Sequence, residues 1–274
     1  MEIKTHIVGA TTVVFLWLDS LLDYVRRGIS FVASIVLWKI SGPESRRHIN
    51  ASLYQNEKDY LPDSEFFNMG LFDWENLVSS HESFPKRGRL LIFAAGCGRE
   101  AKSFLAKGYE VSALEPNQTF LRAGSSYFKA NRNISWHAFS FETWLEAFEK
   151  KVLPEELMQK HTAIVIGWGA LSYLYDAHLR TRFLKALKYL FPKAPILMSY
   201  LVHPKPQGTP ARLKDMLFGK HSKNQSFLKR TGFTYLYETA EIQVLADETG
   251  YEVKMLEQMP YPYSFWTPFD NQNE

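Results

Sequence analysis

The stretch from Arg89 to Asn117 constrains the fold more than any other part of the chain. Leu90 to Ala95 is an unbroken apolar run, the pattern of a strand covered on both faces. Gly96 and Gly98 follow, and a backbone without Cβ atoms can pass close to a ligand. A helix is predicted from about Arg99 to Lys107, with free N–H groups at its start. A second strand, Tyr109 to Leu114, leads into Glu115-Pro116-Asn117. A carboxylate at the carboxyl end of that strand is placed to accept both hydroxyls of a ribose. Strand, glycine turn, helix, strand and acid make one βαβ unit with an adenosine site at its edge.

The remaining chain extends the same alternation. Helices are predicted over Gln118–Ala130, Phe141–Lys150, a short segment opened by Pro154, Ala177–Phe191 and Tyr237–Thr249. Strands are predicted over Ile134–Ala138, His161–Ile166, Pro195–Leu201, Tyr251–Gln258 and Tyr263–Trp266. The expected fold class is α/β: a Rossmann-like, seven-stranded, mostly parallel sheet with helices on both faces, plus an amino-terminal helical appendage. Right-handed crossovers align the strand carboxyl ends, and so the ligand, along one edge. The expected organisation is an apolar or amphipathic helical segment at 1–45, a helical cap at 46–84 and a core at 85–274. A Lys-, Pro- and Gly-rich insertion interrupts the core at about 203–237.

The glycine segment satisfies two patterns. Gly96-x-Gly98-x-x-Ala101, with an acid about 20 residues on, matches the dinucleotide fingerprint. The same residues resemble motif I of the class I S-adenosylmethionine-dependent methyltransferases, a hydrophobic strand followed by an acid, any residue and Gly-Cys-Gly. The form Gly96-Cys97-Gly98-Arg99-Glu100-Ala101 is similar to that of an uncharacterised methyltransferase-like subgroup. Glu115-Pro116-Asn117 resembles the family's acid-x-Asn/Ser step, and Ala163-Ile-Val-Ile-Gly-Trp-Gly-Ala-Leu-Ser-Tyr173 resembles its strand-four motif. The resemblance spans residues 85–260 and implies S-adenosyl-L-methionine as cofactor. The implied cofactor-binding residues are Ala95, Gly96, Cys97, Gly98, Glu115, Pro116, Asn117, Phe139, Ser140, Phe141, Gly167 and Trp168. The implied reaction is in-line methyl transfer to a small-molecule acceptor.

Three positions depart from that family's pattern. Ala94 stands where many members carry an acid that contacts the methionine amino group. Glu100 stands where a third glycine often sits, and Ser140 where an Asp often holds the adenine amine. Two other functions stay open. An NAD(P)-dependent oxidoreductase of the short-chain type needs Tyr-x-x-x-Lys on a helix after the glycine turn. Tyr54-Gln-Asn-Glu-Lys58 precedes the turn, and Tyr189-Leu-Phe-Pro-Lys193 is broken by Pro192. A non-catalytic binding module on the same fold would be consistent with Ala94 and Ser140.

Upstream of the core, Ile7 to Leu22 is nearly apolar, and Ile29 to Ile40 is apolar again until Ser41-Gly42-Pro43. The segment lacks the basic start and small-residue cleavage site of a signal peptide. Asp19, Asp23, Arg26 and Arg27 interrupt a run that would need about 20 apolar residues to span a bilayer. At helical spacing Asp19, Asp23, Arg26, Arg27 and Ser30 share one side, and Val14, Trp17, Leu18, Leu21, Leu22 and Val25 another. Such a helix caps the cleft, as in many small-molecule methyltransferases that the core resembles, or lies on lipid, with a transmembrane span as the third reading. The expected location is cytoplasmic, with peripheral membrane contact through residues 7–40 as the second reading.

In the family this chain resembles, a segment upstream of the core often closes over the cofactor and meets the substrate. By that resemblance the polar helical stretch Arg46–Tyr60 and the aromatic stretch Phe66–Glu75 supply candidates for the pocket rim: Tyr54, Tyr60, Asn68, Trp74 and Glu75. Tyr54, Tyr60, Trp74 and Tyr173 are the substrate-binding candidates, and their aromatic character suits a lipid-like or aromatic acceptor. A formal charge of +3, with no Lys/Arg run beyond two residues, argues against a nucleic-acid partner. The single cysteine, Cys97, excludes an internal disulfide, and no His/Asp/Glu cluster at ligand spacing supports a metal. Methyl transfer needs a general base only when the acceptor must lose a proton early. His203, just past the fifth core strand, is the catalytic candidate, with Tyr173 and His137 behind it.

Overall fold

The computed structural model describes residues 21–22, 24–25, 28–29, 32–55, 57–202, 224–228, 232–257 and 262–269. Most of the apolar run at 7–22, together with His203, lies outside the described residues. Ten strands follow in chain order: β1 (Arg89–Phe93), β2 (Glu110–Leu114), β3 (Ile134–His137), β4 (Ala163–Ile166), β5 (Ile196–Ser199), β6 (Leu201–Val202), β7 (Gln225–Leu228), β8 (Gly232–Tyr237), β9 (Tyr251–Glu257) and β10 (Tyr263–Pro268). Seven of them form the central sheet in the order β3-β2-β1-β4-β5-β10-β9. β10 alone runs antiparallel to its neighbours in that sheet. The chain is an α/β protein with a Rossmann-like, mostly parallel sheet.

Side-chain alternation divides the core between the two faces of this sheet. Leu91 and Phe93 of β1 point to one side, where Ile164, Ile166, Ile196 and Met198 join them. Helices α6 (Phe141–Glu149), α8 (Ala177–Leu190) and α9 (Thr239–Glu248) cover that side with Trp144, Phe183, Leu187 and Ile242. Leu90 and Ile92 point the other way, with Val111, Val165 and Leu197, under Phe104 of α4 (Arg99–Ala106) and Trp74 and Val78 of α3 (Asp73–Ser80). Covering both faces explains why β1 and β4 read as continuous apolar runs. Helix α5 (Gln118–Tyr127) is capped by Asn117, α6 by Ser140 and α8 by Asp176, each accepting a backbone N–H with its side-chain oxygen. Helices α1 (Pro43–Gln55), α2 (Glu65–Asn68) and α7 (Glu155–Met158) are also present.

Two sequence expectations change in the structure. The strand predicted over Pro195–Leu201 divides: β5 stays in the main sheet, whereas Leu201 and Val202 pair with Leu236 and Tyr237 in a small sheet of order β6-β8-β7. The described end of the 203–237 insertion is therefore the β7–β8 pair. The helix predicted from Tyr237 begins at Thr239, because Tyr237 completes β8 and its buried hydroxyl donates to Leu171 O at 3.2 Å.

The small sheet is held by the amino-terminal region. Asn50 of α1 donates from Nδ2 to Phe233 O (2.9 Å) and accepts Phe233 N–H on Oδ1 (2.7 Å). Residues 32–40 are helical, and Trp38 packs edge-on against Tyr175 and Phe233 at 5.3 and 5.2 Å. These described residues hold the small sheet, and Ser34 Oγ adds to the contact by accepting Phe227 N–H at 2.9 Å. Replacing Asn50 by Ala leaves both Phe233 backbone groups without partners. The expected loss is about 1–3 kcal/mol in a urea unfolding titration.

Candidate active site

The carboxyl ends of β1, β2 and β4 open on a cleft of about 500 Å³. Its floor is the turn after β1. Ala94 takes a left-handed backbone conformation (φ 53°), which is uncommon outside glycine, and Gly96 continues the turn at φ 56°. A Cβ on Gly96 would meet only open space. Gly98 (φ 96°) then starts α4, and a Cβ there would come within 2.8 Å of the Phe128 ring.

Glu115 anchors the opposite wall. Its Oε2 accepts Gly96 N–H and its Oε1 accepts Asn117 N–H, both at 2.8 Å, so it ties the ends of β1 and β2 together. Burial pushes its carboxyl up to about 7, although both backbone bonds oppose the rise. Asn117 Oδ1 is occupied in capping α5, while Asn117 Nδ2 is buried with no protein partner. Burial also raises the Cys97 thiol to about 12, helped by Glu115, so the thiol stays protonated and is a poor nucleophile.

Ala95, Gly96, Cys97, Glu115, Pro116, Asn117, Phe139, Ser140, Phe141 and Trp168 all line this one cleft, together with Tyr54, Tyr60 and Tyr173. The Tyr54 hydroxyl from α1 and the Tyr173 hydroxyl, from the 3-10 turn Ala170–Tyr173, hydrogen-bond to each other. Burial holds the Tyr173 phenol well above its ordinary range, with Tyr54 adding to the rise. Other predicted residues lie off the cleft. Gly98 and Gly167 sit behind its wall, Gly167 so close to β1 that a Cβ would be 2.8 Å from Ala94 O. Trp74 is buried, stacked on Tyr263 at 5.0 Å, so it packs the core and does not reach the rim. Asn68 bonds Lys102 on the surface, and His137 faces Ser135 and Glu156.

Glu75 is no rim residue either. It is 1% exposed and forms a two-pronged ion pair with Arg99, 4% exposed, at 2.7 and 2.8 Å. Arg99 also donates to Gly70 O and to Glu100 Oε1, and its guanidinium lies 4.2 Å over the Phe72 ring. The aromatic stretch 66–75 is thereby clamped to the glycine turn. Arg47, Phe66 and Tyr175 also line the cleft. Phe66 opens the aromatic stretch singled out in the sequence, whereas nothing local marks Arg47 of α1 or Tyr175, which follows the Ala170–Tyr173 turn.

Solved structures share this fold. A methyltransferase dependent on S-adenosylmethionine from Methanosarcina mazei superposes with a TM-score of 0.51 over 72% of this chain and 96% of its own, at 12% identity. The PH0226 protein of Pyrococcus horikoshii OT3 gives 0.57 over 79% and 98%, at 13% identity. The 1,6-didemethyltoxoflavin-N1-methyltransferase of Burkholderia thailandensis, solved with 1,6-didemethyltoxoflavin and S-adenosylhomocysteine, gives 0.54 over 84% and 92%, at 11% identity. No protein-family model and no curated protein matches the sequence. The likeness is one of fold: this chain has the architecture of the S-adenosylmethionine-dependent methyltransferases.

The buried cluster makes a rank-order prediction. Arg99→Met leaves two carboxylates, Glu75 and Glu100, buried without a cation and is expected to cost about 3–5 kcal/mol in urea unfolding. Glu75→Gln leaves Arg99 paired with Glu100 and is expected to cost less.

Proposed function

We propose that this protein transfers a methyl group from S-adenosyl-L-methionine to a small-molecule acceptor. The observation that carries the reading is Glu115, a buried carboxylate at the end of β2 that bridges to Gly96 across the floor of the cleft. The residues present fit the cofactor: Gly96 leaves space where a Cβ would stand, and Asn117 Nδ2 is a buried donor lacking a partner. When bound, the cofactor supplies an activated methyl carbon for in-line displacement.

The protein's own part is alignment and exclusion of water. Each Glu115 oxygen accepts one backbone N–H and keeps a lone pair for a ribose hydroxyl. Gly96, Cys97, Ser140 and Phe141 enclose the adenosine end, and Trp168 the other. Tyr54, Tyr60, Phe66 and Tyr173 offer aromatic faces to a flat or apolar acceptor. The raised Tyr173 phenol is neutral at physiological pH, so the tyrosine pair orients a polar group of the acceptor by hydrogen bonding. No histidine lines the cleft among the described residues. His203 is the proposed base for acceptors that must lose a proton.

Isothermal titration with S-adenosylhomocysteine, alongside NADH, tests this reading. Binding of S-adenosylhomocysteine alone supports it; binding of NADH alone favours the oxidoreductase, and binding of neither a non-catalytic module. Glu115→Ala is expected to weaken S-adenosylhomocysteine by about 1–3 kcal/mol. The carboxylate must be ionised to accept two hydroxyls, and its raised value disfavours that form. Affinity is therefore expected to fall about tenfold from pH 8 to pH 6 in the wild type, and to stay flat in Glu115→Ala.

A peripheral membrane contact is proposed for the amino-terminal region. Leu22, Val25, Ile29, Val32, Val36 and Ile40 recur at three- and four-residue spacing and are all exposed, while Ile35 and Trp38 are buried. An aliphatic stripe of this kind suits the boundary between headgroups and acyl chains. Among the described residues no helix is long and apolar enough to cross a membrane. Wild-type protein is expected to co-sediment with phosphatidylcholine–phosphatidylglycerol vesicles, and the Ile29→Asp/Val36→Asp double variant to remain in the supernatant. Equal sedimentation of the two would rule the stripe out as the contact.

A further inference from the structure

The cleft wall beside the glycine turn holds one more carboxylate than it has cations to pair. Glu75 and Glu100 are both buried and share a single guanidinium, Arg99. Glu75 is fully engaged: Oε1 accepts from Arg99 Nη2, and Oε2 accepts from Arg99 Nη1 and from Phe72 N–H. Glu100 is not. Its Oε1 accepts from Arg99 Nη2 at 2.7 Å, and its Oε2 takes no hydrogen bond among the described residues. The Glu100 side chain is nevertheless only 6% exposed. Of the two acids, Glu100 is the one that lines the cleft. Glu100 Oε2 is not among the fully enclosed polar atoms, so this otherwise buried carboxylate keeps one acceptor open to a donor in the cleft.

We infer that Glu100 receives the α-ammonium of the cofactor's amino-acid end. The inference rests on the S-adenosylmethionine reading. Three acids line the cleft: Glu115, whose two oxygens hold the ends of β1 and β2, Glu142, which is half-buried beside Ser140 and Phe141, and Glu100. Of these, Glu100 is the buried acid on the floor whose second oxygen is not committed to the backbone. Of the cofactor's two cationic groups, the sulfonium has no hydrogen to donate, whereas the ammonium has three. The vacant acceptor on Glu100 Oε2 therefore selects the ammonium. Arg99 holds Glu100 Oε1 and so aims the carboxylate, and the Glu75–Arg99 pair fixes Arg99. Glu100 is thus a cofactor-positioning residue with no part in proton transfer.

Three probes test the assignment by calorimetry without any methyl acceptor: S-adenosylhomocysteine, its analogue with hydrogen in place of the α-amino group, and 5′-methylthioadenosine, which lacks the amino-acid end. Wild-type protein is expected to bind S-adenosylhomocysteine about 10- to 100-fold more tightly than the desamino analogue, the range for one charge-assisted hydrogen bond. Glu100→Gln is expected to lose that preference while binding the desamino analogue and 5′-methylthioadenosine as the wild type does. An equal loss for all three probes would assign Glu100 a structural role and overturn the inference. So would wild-type protein that does not distinguish the first two probes, a result that needs no variant to fold. If wild-type protein binds none of the three, the cofactor reading itself fails and the inference falls with it. Normal nucleoside binding with no ammonium preference sinks the inference alone.

Discussion

The ion pair between Glu75 and Arg99 joins two parts of the molecule that the cleft cannot do without. Arg99 is the first residue of the helix that follows the glycine turn, and Glu75 belongs to the aromatic segment ahead of the core. Because both are almost fully buried, their mutual attraction is little screened, and each would be costly without the other. Burial pushes the Glu75 carboxyl up, while hydrogen bonding to Arg99 draws it down. The pair also fixes Gly70 and Phe72 against the turn, since Arg99 donates to Gly70 O and Glu75 accepts Phe72 N–H. One wall of the cleft is thereby registered against its floor.

The floor shows the strain and desolvation expected where backbone must meet ligand. Ala94 adopts a conformation that glycine would take more easily, and it does so at the point where β1 leaves the sheet. Two residues on, Gly96 N–H points to Glu115 instead of to another strand. The sheet supplies this geometry at low cost, because covering both faces with apolar side chains leaves the strand ends as the place where polar groups converge. The raised Glu115 carboxyl and the raised Cys97 thiol are consequences of the same burial.

The cap differs in kind from the core. It is assembled from α1, the stretch 66–75 and the β7–β8 pair, which meet only in three dimensions. Asn50 completes the backbone pairing of Phe233, 183 residues away, and Tyr54 meets Tyr173, 119 residues away. A cap with so many long-range ties encloses a cavity whose shape depends on all of them. The side of the cleft lined by α1 and Phe66 is therefore more individual than the side that one βαβ unit provides.

From sequence alone, periodicity and turn chemistry determined the central sheet, the glycine turn and the placement of Glu115 at the end of β2. These are local properties: a doubly covered strand must be apolar throughout, and a tight turn before a helix favours glycine. The residues Gly96, Cys97, Glu115, Asn117 and Ser140 follow from that local order, and the structure brings them to one cleft. Only the tertiary structure decided which side of the wall each aromatic or acid occupies. Trp74 and Glu75 read as rim residues because in the resembled family a segment before the core often closes over the cofactor, yet packing against Tyr263 and pairing with Arg99 bury both. Arg47 and Tyr175 reach the cleft without a local signal, and β8 claims Tyr237 from a helix-like stretch. Each of these depends on a partner far away in the chain, and sequence spacing carries no information about a contact that loop closure alone creates.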